Sequence, residues 1–179
     1  MNYDGYELLR IEVDRRVAWA TVDNPPINLM TVPLYLELAR FAAEVGDDDG
    51  VRVVVLQSAN ADFFIAHFDV EAILRFPVEG EPQRETEPNA FHQMCERFRT
   101  MGKATMAKIE GRVGGGGAEL SASLDMRFGV AGKTVVNQME VALGILPGGT
   151  GTQRLPRAHP ARVMPSSRSF GSRRRCGLR

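Results

Sequence analysis

The stretch GRVGGGGAEL, residues 111–120, sets four consecutive glycines, Gly114 to Gly117, directly before a carboxylate, Glu119, and a run that can continue as a helix. Each glycine loses more conformational entropy on ordering than any other residue. Two readings offset that cost. One is a flexible surface loop. The other is a place where backbone N–H groups approach another molecule with no Cβ atoms in the way.

What flanks the glycines separates the two. KATMAKIEG, residues 103–111, predicts a strand running straight into them, so the unit reads strand, glycine turn, helix. Such a turn places free N–H groups at the positive end of a helix dipole, where negative charge is favoured. Phosphate fits poorly. A phosphate-binding loop needs Gly-Lys-Ser/Thr after its glycines, and Gly-Ala-Glu follows here. The dinucleotide spacing G-x-G-x-x-G lacks its third glycine, and Glu119 would repel a phosphate at close range. A carbonyl that gains negative charge during a reaction is the third candidate, because a preorganised N–H stabilises it better than water does. Glu119 alone also reads as an ordinary first-turn carboxylate favoured by the dipole. A second carboxylate, Glu140 in NQMEVALGILPGGTGTQRLPR (residues 137–157), is the last acid of the chain and sits in an apolar stretch, where it also reads as a surface-loop residue.

Outward from the glycines, YELLRIEV and VAWATV flank Asp14, Arg15 and Arg16 and predict a hairpin. MTVPLYLELARFAAEV predicts a helix with Leu34, Leu36, Leu38, Phe41 and Ala42 on its apolar positions, ended at Gly46. VRVVVLQS predicts a buried parallel strand. FFIAHFDVEAILRF enters a short helix near Asp69, PVEGEPQRETEPN predicts a mobile loop, and AFHQMCERFRTM predicts a helix broken by Gly102.

With 179 residues and 44% hydrophobic content, the chain suits one domain with a core. No apolar run reaches the roughly 20 residues of a membrane span, and the first ten residues lack the pattern of an export signal. Cys95 and Cys176 form no C-x-x-C, which argues against a disulfide framework or a zinc site and fits a reducing cytoplasm. Zero net charge hides an asymmetry: residues 158–179 carry six arginines and no acid, against 16 basic and 22 acidic side chains before them. This tail, rich in turn formers and without period, is expected to be disordered. Arg173, Arg174 and Arg175 lack the interleaved aromatics of a nucleic-acid surface, so no nucleic-acid partner is expected.

Jointly, NPPINL (24–29), FFIAHFD (63–69), IEGRVGGGGAELSASLDMRF (109–128) and the Glu140 stretch resemble the enoyl-CoA hydratase/isomerase, or crotonase, superfamily in order and spacing, over residues 5 to about 157. The resemblance implies an α/β fold of ββα turns forming a spiral core, residues 1–157, without the family's C-terminal helices. It also implies a homotrimer or hexamer that takes acyl-CoA thioesters, with coenzyme A as part of the substrate and no separate cofactor or metal. By position, the oxyanion hole falls on the N–H groups of Phe68 and Gly116, and Ala66, His67, Asp69 and Gly115 border the substrate. Glu119 would activate water and Glu140 would supply a proton, the pairing of a hydratase. Enoyl-CoA isomerase, dehalogenase-like chemistry or a non-catalytic CoA-binding fragment are the alternatives. His67 and Phe68 stand where the family keeps small residues, and Met139 replaces its usual proline. His67, without a second histidine nearby, reads as structural rather than as a base or metal ligand. The abrupt change after Arg157, with 19 arginines against three lysines, is what a shifted reading frame in a GC-rich gene would produce.

Overall fold

The computed structural model describes residues 2–76 and 86–158. The expected mobile loop at 77–89 lies mostly, and the basic tail beyond Ala158 wholly, outside them.

The chain alternates between two sheets. β1 (Leu9–Asp14) and β2 (Val17–Val22) form the predicted antiparallel hairpin, turned by Arg15 and Arg16 at φ 45° and 69°. β3 (Val53–Ser58), β5 (Ala104–Ile109) and β7 (Met126–Gly129) extend it in the order β1-β2-β3-β5-β7, each parallel to its neighbour from β2 onward. Three short strands, β4 (Phe63–Ile65), β6 (Arg112–Gly114) and β8 (Val135–Asn137), make a second, parallel sheet. Each of β3, β5 and β7 is thus followed by a strand of the other sheet, which gives the ββα spiral.

This corrects one expectation. The strand before the glycines does not run straight into them: β5 ends at Ile109, the chain turns at Glu110 and Gly111, and β6 begins in the second sheet. Arg112 N–H donates to the Asp62 carbonyl at 2.7 Å, which fixes the new direction beside β4.

α1 (Val32–Asp47) starts at Thr31, whose hydroxyl accepts from Leu34 N–H, with a proline in its first turn. Leu34, Leu38, Phe41, Ala42 and Val45 face the core, spaced as one helical stripe. Leu36, expected among them, points outward at 57% exposure, because it lies two positions from Leu34 and Leu38 and so on the opposite face. α3 (Ala90–Thr100) is capped by Asn89 and buries Met94, Cys95 and Phe98 against α1 and α4 (Gly115–Ser123). α5 (Gly151–Ala158) packs on α4, and Arg154 on α5 pairs with Glu96 on α3.

Asn28 joins hairpin, sheets and site region. Its side chain is buried, donates to Ser58 Oγ at 2.7 Å and toward the carbonyls of Val22, Phe63 and Phe64, and accepts from Asn24 N–H at 2.7 Å.

Candidate active site

The four glycines are neither a loop nor a turn outside the helix. Gly114 caps α4, and Gly115, Gly116 and Gly117 form its buried first turn. Gly115 takes φ +44°, which a side chain resists, and a Cβ on Gly117 would lie 2.7 Å from the Ile65 carbonyl oxygen. The glycines therefore let a helix start directly against β4. No side chain caps this helix, so the N–H of Gly116, in its first turn, has no intrahelical acceptor.

The segment after β4 supplies a second free amide. Met30 N–H donates to His67 O at 2.8 Å, and Asp69 N–H donates to Met30 O at 3.0 Å. A parallel bridge that uses residues 67 and 69 turns the N–H of Phe68 to the other side, where no described group accepts it. Phe68 and Gly116 are neighbours: a Cβ on Gly116 would lie 3.4 Å from Phe68 Cβ.

Both residues line a cavity of about 600 Å³ together with Glu119 and Glu140. Glu119 is 3% exposed on α4. Its Oε1 accepts from Gly149 N–H at 3.2 Å and from Gly151 N–H at 2.8 Å, the latter opening α5. Burial pushes its carboxyl above the ordinary carboxylate range, and the charge of Glu140 adds to the rise, while the Gly151 and Gly149 amides oppose it. Glu140 opens a single 3-10 turn (Glu140–Leu143), is half-buried, and holds Oε2 buried with no partner among the described residues. The two acids, read in sequence as a first-turn and a surface-loop residue at their plainest, thus line the same cavity.

Ala66, His67, Asp69 and Gly115 are not among the residues that line the cavity. The Ala66 carbonyl backs Gly114, His67 Nδ1 bonds the Phe68 carbonyl at 2.7 Å, and Asp69 caps α2 (Val70–Leu74) through Glu71 N–H and Ala72 N–H. Among the described residues no group of three or more His, Cys, Asp or Glu could hold a metal ion. Sequence reasoning missed Tyr35, Phe91 and Gly149, all on the cavity wall. The glycines of LPGGTG carried the signal for Gly149; aromatic residues at helical spacing read as core.

The chain matches the family model for enoyl-CoA hydratase/isomerase over residues 12–168, which runs past Arg157. It is 33% identical over 148 residues to the fatty acid oxidation complex subunit alpha of Aliivibrio fischeri, covering 80% of this chain and 21% of that protein. It is 32% identical to a Bacillus subtilis protein assigned as an enoyl-CoA hydratase, covering 83% of this chain and 56% of the relative. A solved structure from Streptomyces avermitilis, assigned likewise, superimposes with a TM-score of 0.74 at 34% identity, covering 86% of this chain and 57% of that one. The chain therefore spans a fifth to somewhat over half the length of the relatives it matches. On its motifs, its spiral of strands and these matches, the chain belongs to the enoyl-CoA hydratase/isomerase family.

Proposed function

We propose that the protein hydrates the double bond of a 2-enoyl-CoA thioester. The observation that carries this reading is that Glu119, Glu140, Phe68 and Gly116 line one cavity. The free N–H groups of Phe68 and Gly116 would receive the thioester oxygen, where charge develops as the double-bond electrons move toward it. Glu119 takes a proton from water while the oxygen of that water bonds to Cβ; Glu140 then gives a proton to Cα as the enolate collapses. The Gly149 and Gly151 amides hold Oε1 of Glu119 and so fix the aim of its carboxylate. Two nearby carboxylates divide the acid and base roles when one keeps a proton that the other has lost.

A second reading, double-bond isomerisation or dehalogenase-like chemistry on the same thioesters, rests on the large Phe68 ring at the cavity wall. By the family resemblance we further infer a homotrimer or hexamer working in the cytoplasm. The test is an assay of the whole chain on a panel of enoyl-CoA thioesters with its mass in solution measured in parallel. Hydration lost on Glu119→Gln supports the first reading. Turnover only of isomerisable or halogenated thioesters supports the second, and thioester binding without turnover reduces the chain to a binding protein.

A further inference from the structure

We propose that Phe91, propped by Tyr35, is a positioning residue that packs against one side of the Glu119 carboxylate and shields that side from bulk water. The proposal rests on the reading of Glu119 as a site residue. Phe91 lies in the first turn of α3, whose start is fixed by Asn89 accepting from His92 N–H at 2.9 Å. From there its ring edge reaches both halves of the site. Its Cζ lies 3.5 Å from the point where a Cβ on Gly116 would sit. Its Cε1 lies 2.7 Å from the corresponding point on Gly149, and Glu119 Oε2 lies 2.1 Å from that same point. The ring edge and the carboxylate therefore meet over the Gly149 backbone.

The ring is held in place from two directions. Tyr35 stacks on it with centroids 6.1 Å apart and planes at 21°, and Phe68 meets it edge-on at 6.3 Å and 76°. An aromatic edge is weakly positive and tolerates an anion, yet it offers none of the hydrogen bonds water would give. On that side the ionised carboxylate meets no donor, its backbone partners being the amides of Gly149, Thr150 and Gly151, and desolvation is the largest influence on its titration. The other groups facing Glu119 are Glu140 from the 3-10 turn, the Cys95 thiol from α3, and the Gly149, Thr150 and Gly151 amides ahead of and on α5. His92 meets the same loop from behind, on the Gly149 carbonyl, and Arg154 of α5 pairs with Glu96.

The test is the titration of Glu119 by carbon NMR in protein labelled at the glutamate carboxyls, assigned by the signal missing in Glu119→Gln. Phe91→Ala is expected to move the Glu119 midpoint downward, with Phe91→Leu between parent and alanine, and Tyr35→Ala moving it the same way. The acid limb of the kcat/KM profile should shift in parallel, and kcat/KM at neutral pH should fall roughly tenfold. An unmoved midpoint in a folded Phe91→Ala overturns the proposal; if alanine unfolds the chain, leucine decides by the same criterion. The carboxyl titrates whether or not the chain turns over, so an inactive parent would sink the hydratase reading alone.

Discussion

Oε1 of Glu119 accepts a 2.8 Å hydrogen bond from the amide of Gly151, a residue 32 positions further along the chain. The same oxygen takes the Gly149 amide, so the aim of a buried acid on α4 is set by the start of α5 and the loop before it.

Gly149→Ala should therefore disable the site. The added methyl would sit 2.1 Å from Glu119 Oε2 and 2.7 Å from the Phe91 ring, and one of the three must move. We expect kcat to fall about a hundredfold, as for an ångström-scale misplacement, and stability to drop by about 1–3 kcal/mol from overpacking. Steady-state kinetics and urea unfolding on the same preparation check both.

Asn28→Ala tests the polar knot between hairpin and second sheet. Removing the amide leaves the Asn24 N–H without its acceptor and takes a donor away from the Ser58 hydroxyl and the Phe64 carbonyl, while the Val22 and Phe63 carbonyls keep the Ala59 amide and the Ser58 hydroxyl. A loss of about 2–4 kcal/mol is expected in urea unfolding, and Asn28→Asp should not restore it, since a carboxylate cannot donate to those carbonyls.

The pH dependence of stability has a defined sign at Glu119. Its carboxyl is raised in the folded chain, so the folded state favours the protonated form. The associated stability is fully present below the ordinary carboxylate range and is lost as pH rises through the raised value. Glu119→Gln should remove that loss. Denaturant unfolding at a series of pH values should show parent minus variant becoming less favourable from acid toward neutral pH; a flat difference refutes the assignment.

Burial pushes the Cys95 thiol up to about 12, against the opposing influence of Ser123 and Arg154. At mildly alkaline pH a thiol reagent should leave Cys95 unlabelled in the native chain and label it at the rate of unfolding. Mass mapping of the labelled peptide checks this; fast labelling at Cys95 would show that α3 opens locally.

Long periodic segments were legible in the sequence and short ones were not. Leu34, Leu38, Phe41 and Ala42 announce α1, and the β-branched run Val53–Leu56 announces β3. The second sheet escaped because β4, β6 and β8 have three residues each, too few to express a period, and are defined by their neighbours. The acids Glu119 and Glu140 were found through family motifs, since either one alone reads as an unremarkable carboxylate. Leu36 was misplaced because counting apolar residues in a helix ignores which face each occupies. Phe91 and Tyr35 went unread because only the folded chain shows their rings lining a cavity rather than filling the core.

The alternation of strands between two sheets also governs how the chain reaches its native state. Val53 pairs with Ala104 and Val17 with Val53, so neighbouring rungs of the larger sheet join partners dozens of residues apart. Loop closure must be met before any such rung is rewarded, and only the β1–β2 hairpin is local. Refolding should accordingly be slow for a chain of this size, with the hairpin and α1 protected earliest and the Glu119 environment assembled last.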